Sequence, residues 1–73
     1  MQKQCLGDNS YNAVHQLTKT LEFLAHVDCY LEDAQKVNDS KSEEVWKTIR
    51  ADREKHAGML KELLATEIRE NRF

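Results

Sequence analysis

From Ser10 onward the apolar residues recur at intervals of three and four: Ala13, Val14, Leu17, Leu21, Phe23, Leu24, Val27, Tyr30, Leu31, Ala34 and Val37. That is the period of an amphipathic helix, and the face is wider than the narrow seam of a two-stranded coiled coil. Asp8, Asn9 and Ser10 are three candidate N-caps in a row, so a first helix is expected over about 10–37. The run Asn38-Asp39-Ser40-Lys41-Ser42 breaks the pattern with side chains that compete for the backbone, and Ser40 to Glu43 has the spacing of a capping box. A second helix is expected over about 41–70, with Glu43 and Glu44 in its first turn and Arg69 and Arg72 near its end, as the helix dipole favours. A break this short forces the helices antiparallel. Residues 1–8 carry no periodic signal and are expected to form a flexible tail, leaving 9–73 as the helical hairpin.

Counted at three and four, a stripe of the second helix runs Val45, Ile49, Asp52, His56, Met59, Leu63, with two polar residues at successive positions of an otherwise apolar seam. An aspartate and a histidine at i,i+4 project the same way, and burying either one unpaired would cost about 1–3 kcal/mol. Both are therefore expected to meet a partner: another helix, a second subunit or a metal. Gly58 inside the same helix points to a close helix approach. Residues equidistant from Asp39 face each other across a hairpin, which puts His56 level with Glu22 and Asp52 level with His26. Glu22 and His26 nevertheless lie on the far side of the first helix from its apolar face, and join Asp52 and His56 only across a subunit boundary. Asp28 is within reach of Arg53 or Arg50 as a flank ion pair. Within one chain, His56 can instead be a core histidine satisfied by Asp52, Tyr30 or Thr20.

Composition narrows the choice. With 33% charged residues, no proline and two glycines, the 73-residue chain has the make-up of long helices, so the fold is expected to be all-α. Ordering it costs on the order of 100 kcal/mol at about 1.5 kcal/mol per residue, more than one layer of two helices returns, so an oligomer is expected. The formal charge of −2 comes from interleaved signs without a basic stripe, which argues against nucleic acid. There is neither an apolar run long enough to span a membrane nor a signal-peptide pattern at the start, and a cytoplasmic protein is expected. Cys5 and Cys29 lack metal-knuckle spacing and read as free thiols. Trp46 and Tyr11 read as packing residues.

Two stretches resemble the encapsulated ferritins, the two-helix branch of the ferritin-like superfamily. Val27-Asp28-Cys29-Tyr30 is similar to that family's Val-Asp-Trp-Tyr; Arg50 and Glu54-Lys55-His56-Ala57-Gly58-Met59 follow a break of matching length and are similar to its Lys-Glu-His-Ala-x-Met segment. The resemblance covers about sixty residues, from Tyr11 to Leu64. It implies antiparallel hairpins that dimerise into a ferritin-like four-helix bundle, as a dimer or a ring of dimers, with iron bound across the subunit interface. Carried over by residue, it implies metal ligation by His56, an acidic partner at Glu22 and a tyrosine beside the site at Tyr30. At the two positions of the family's bridging glutamates this chain has Phe23 and Arg53, which argues against ferroxidase activity and leaves Asp52 as the replacement carboxylate. No shell-directing tail follows Phe73, so loading into an encapsulin shell is not expected.

The expected function is thus an oligomeric metal-binding hairpin, with iron or zinc held by His56, Asp52 and Glu22 at a subunit interface and Tyr30, Asp28 and Arg53 alongside. The alternative is a metal-free structural or adaptor bundle in which Asp52, His56, Arg53 and Asp28 form a polar layer that fixes register. A third possibility is that the wide face of the first helix receives a helix from another protein.

Overall fold

A computed structural model describes residues 8–73, which form two helices, α1 (Asn9–Lys36) and α2 (Ser40–Arg69), packed as an antiparallel hairpin. Of the expected tail, residues 1–7 lie outside the described residues, and Asp8 belongs to the fold as the N-cap of α1, its carboxylate accepting from Tyr11 N–H at 3.0 Å. Asp39 caps α2 in the same way: Oδ1 accepts from Ser42 N–H at 3.0 Å and Oδ2 from the Ser42 hydroxyl at 2.7 Å. The expected capping box at Ser40 to Glu43 is therefore displaced by one residue, because the two carboxylate oxygens of Asp39 take both the N–H and the hydroxyl of Ser42. Glu43 is left to accept from Gln35 of α1 at 2.7 Å.

Both helices stop on an asparagine. Asn38 and Asn71 have φ of 55° and 60°, in the left-handed region that asparagine tolerates better than most residues. At the first stop, Asn38 N–H donates to the Gln35 carbonyl and Asp39 N–H to the Ala34 carbonyl; at the second, Asn71 N–H donates to Ile68 and Arg72 N–H to Glu67. This pair of bonds is the Schellman arrangement, and it satisfies carbonyls that a helix end leaves open. At Asn38 it turns the chain straight into the Asp39 cap, so one asparagine and one aspartate make the whole reversal.

The interface between the helices is narrow. From α1 it buries Ser10, Ala13, Thr20, Val27, Leu31 and Ala34, and from α2 it buries Ala57 and Glu67, with Trp46, Arg50, Arg53, Leu60 and Leu64 half-buried at the same heptad positions. Val27, 1% exposed, is the one large side chain among the described residues with essentially no surface left. Alanine makes up most of the rest of the apolar core, while Tyr11, Val14, Leu21, Tyr30, Val37, Val45, Met59, Leu63 and Ile68 stay exposed. The assembly is 14 Å across its thinnest Cα dimension, a single layer. Domains ordinarily need two packed layers to close a core. No described helix is long and apolar enough to cross a membrane.

The second helix meets the first along a different stripe from the one expected. The stripe with Asp52 and His56 lies on the outer flank, and Trp46, Arg50, Arg53, Ala57, Leu60, Leu64 and Glu67 face α1. Arginine is tolerated there because its aliphatic stem packs while its head escapes sideways. Arg50 reaches Asp28 at 2.7 Å, and the Arg53 guanidinium lies over the Phe23 ring at 4.8 Å. Gly58 makes no close approach: a Cβ added there would meet nothing within 4 Å.

Candidate functional site

The outer flank of α2 carries two of the residues to which the sequence points, Asp52 and His56. Asp52 and His56 are exposed, one turn apart, between Val45 and Ile49 on one side and Met59 and Leu63 on the other. Val45, Met59 and Leu63 are 49%, 60% and 37% exposed, so this is an apolar stripe without a cover in the single chain. Beside it, Gln16 of α1 with His56, Met59, Leu60 and Leu63 lines a groove of about 370 Å³. The partner expected for His56 from within the chain is not needed, since an exposed imidazole is solvated; Thr20 uses its hydroxyl on the Gln16 carbonyl at 2.8 Å instead.

At the level of Phe23 and Arg53 the two helices meet in a packed cluster. Arg53 covers Phe23, and Phe23, Tyr30 and Trp46 stand with ring centroids 5.0 to 6.5 Å apart, Tyr30 edge-on to Phe23. Cation over ring and edge over ring are both favourable dispositions of the ring quadrupole. Toward the turn, Tyr30 and Trp46 continue into a second shallow groove of about 300 Å³ that includes Asp33, Val37 and Ser42.

The other expected site residues are dispersed. Glu22 is exposed and within 3.8 Å of Lys19, and its carbonyl lies 2.8 Å from His26 Nδ1. A carbonyl only accepts, so Nδ1 carries the proton and Nε2 is the ring nitrogen left for other chemistry. Asp28 does not stand beside Asp52 and His56, because its bond to Arg50 holds it on the opposite side of the hairpin, in line with Leu21 and Val14 at seven-residue spacing. Cys29 is an exposed free thiol, and Tyr11 stacks on His15 at 5.9 Å.

Tested for fit, one chain supplies two donors on a face, Asp52 and His56, and no group of three or more His, Cys, Asp or Glu is placed to hold a metal among the described residues. Two donors beside the cation of Arg53, which is stacked on Phe23, are too few for an iron centre, so a single hairpin does not fit one.

A polar cluster at the open end has no counterpart in the sequence reading. Glu67, 3% exposed, accepts from the Ser10 hydroxyl at 3.1 Å and from Arg72 Nε and Nη2 at 3.0 and 2.8 Å. The Ser10 hydroxyl also lies 3.2 Å from the Arg72 carbonyl. The Arg72 guanidinium, with Ser10 and Asn9 assisting, holds the Glu67 carboxyl below its usual range against the opposing effect of burial. This clasp ties the first turn of α1 to the end of α2. Its sequence signal was Asn71, which turns Arg72 back over Glu67, together with the position of Glu67 three residues after Leu64 on the inward stripe.

No protein-family model matches the chain, and no curated protein or solved structure matches it either.

Proposed function

We propose that this chain is a ferritin-like assembly module: a helical hairpin that pairs with a second copy to complete a four-helix bundle, with a structural rather than catalytic role. The observation that carries the reading is the stripe Val45, Ile49, Asp52, His56, Met59, Leu63, exposed but for the half-buried Ile49, on a hairpin only one layer thick. An apolar core of three alanines, Val27 and Leu31 offsets little of the conformational entropy of 66 ordered residues, and covering the stripe supplies the missing burial. The similarity of residues 27–30 and 54–59 to encapsulated ferritins supports the same architecture. Val14 and Leu21, exposed on the other side, leave a further apolar surface for assemblies larger than a dimer. The reading does not include iron oxidation, because Phe23 and Arg53 stack where that family carries its bridging carboxylates.

Folding coupled to association makes stability depend on concentration. The test is thermal unfolding of the full chain followed by circular dichroism from micromolar to millimolar protein. The melting temperature rises with concentration if copies pair; a melting temperature that does not move over that range overturns the reading.

Asp52 and His56, adjacent and exposed on the face that pairs, favour a second reading in which iron or zinc is captured between copies, where a two-fold axis doubles them into two carboxylates and two imidazoles. It predicts Zn(II) uptake by the assembled protein that is lost in His56→Ala; equal metal content in that variant rules the metal reading out.

A further inference from the structure

The order of residues along the exposed stripe is symmetric in its chemistry. Two apolar residues, Val45 and Ile49, are followed by an acid, then an imidazole, then two apolar residues, Met59 and Leu63, and the spacing is the same from either end. We propose that the stripe is self-complementary: α2 of a second copy packs on it antiparallel, about a two-fold axis at residue 54, so that Asp52 of each chain faces His56 of the other. This rests on the assembly reading above and specifies its register.

With the axis at residue 54, Val45 meets Leu63 of the second copy and Ile49 meets its Met59, and the groove flanking Met59 and Leu63 receives the two β-branched side chains. Parallel packing would instead set Asp52 against Asp52. Sliding an antiparallel partner by one heptad would set Asp52 against an apolar residue, leaving a carboxylate desolvated and unpaired. The polar pair therefore excludes the other registers more strongly than it stabilises this one, as single buried polar residues do in coiled coils.

The same axis makes sense of α1. Arg53 lies over Phe23, so Phe23 is at the level of residue 54, and Gln16 and Tyr30 flank it at seven residues on either side. A two-fold axis through that level sets Phe23 near its own copy and Gln16 opposite Tyr30. The stripe is roughly 27 Å long at 1.5 Å per residue, and two helix widths of about 10 Å give an interface on the order of 1,000 Å² in total, the size at which specific pairing becomes stable. In this arrangement the neutral Gln16 is the α1 side chain in the groove of His56, and the charged residues of α2 at neighbouring positions on its own face are Asp52 at i−4 and Arg53 at i−3.

The test is charge exchange with three full-length variants, followed by sedimentation equilibrium and native mass spectrometry. His56→Glu alone sets acids against acids, and Asp52→Lys alone sets bases against bases; each is expected to self-associate at least tenfold more weakly than wild type. Mixed one to one, they restore both pairs, and a heterodimer at least tenfold tighter than either homodimer is expected. The exchange variant Asp52→His with His56→Asp keeps acid facing imidazole and should pair like wild type. Lysine and glutamate are good helix formers at exposed positions, so circular dichroism should show unchanged helix in concentrated solution. Variants that self-associate as tightly as wild type, or a mixture with no preference for the heterodimer, overturn this register while leaving assembly standing. A wild-type chain that stays monomeric overturns both.

Discussion

Met59 is the most exposed apolar member of the stripe that covering by a second copy is expected to bury, and its replacement by glutamine puts the assembly account at direct risk. Fully burying a methionine side chain stabilises by about 1.5–3 kcal/mol, and Met59 is 60% exposed in the hairpin, so roughly 1–2 kcal/mol per copy is still to be gained on association. A symmetric pair contains the residue twice, which makes about 2–4 kcal/mol for the dimer. At 1.4 kcal/mol per tenfold, Met59→Gln weakens pairing from about 30-fold to several hundred-fold. Glutamine has nearly the same length and helix propensity, so the loss reports on apolar contact and not on the helix. Sedimentation equilibrium at several loading concentrations measures the constant. The control is Leu21→Gln: Leu21 is 47% exposed but lies with Asp28 on the opposite side, and its loss should leave the pairing constant within about threefold. A Met59→Gln protein that pairs as tightly as wild type, or a Leu21→Gln protein weakened just as much, refutes the argument that this stripe is the contact.

Three other consequences are open to experiment. Val27→Ala removes two methylene equivalents from the one large side chain that is 1% exposed, and should cost about 2 kcal/mol in urea unfolding; a loss below about 0.5 kcal/mol would show that the centre of the hairpin is not packed as described. Glu67 has a folded pKa below its ordinary 4.5, so its contribution is fully present above that value and disappears as pH falls through the lowered one; Glu67→Gln should therefore flatten the acid limb of melting temperature against pH, and an unchanged acid slope would dismiss the clasp. Asp39, also lowered by its bonds to Ser42, titrates in the same window, and the limb should shrink rather than vanish. Gly58→Ala adds a methyl group to open space in the middle of α2 and should stabilise by about 1 kcal/mol, or roughly 4–8 °C in melting temperature; a destabilised variant would reveal a neighbour at that position.

The hairpin itself was legible because its signals are local. Apolar residues at three and four, the polar break after Val37 and the facing of residues equidistant from Asp39 all follow from helix geometry. The pairs Asp28 with Arg50, Gln35 with Glu43 and Ser10 with Glu67 lie across the hairpin in keeping with that facing. The rotation of α2 about its own axis was not legible. Its two candidate stripes carry similar apolar content, and hydrophobicity alone scores Arg50, Arg53 and Glu67 as outward. Their burial depends on partners that only the folded chain supplies: Asp28 for Arg50, the Phe23 ring for Arg53, and Ser10 with Arg72 for Glu67. The consequence for the site is specific. Asp52 and His56 remain on one face as the sequence indicates, yet that face lies on the flank of the hairpin, with Gln16 of α1 beside it, and Glu22, His26 and Asp28 are held elsewhere by Lys19, the helix backbone and Arg50. Sequence spacing identifies which residues share a stripe; which stripe turns inward is decided by how charged side chains find an exit.

Native mass spectrometry of the full-length wild-type chain, with and without added Zn(II), counts subunits and metal ions in one spectrum. The account predicts particles with an even number of chains in both conditions, with or without bound zinc. A spectrum dominated by the 8.5 kDa monomer at concentrations where the protein is fully helical would contradict it.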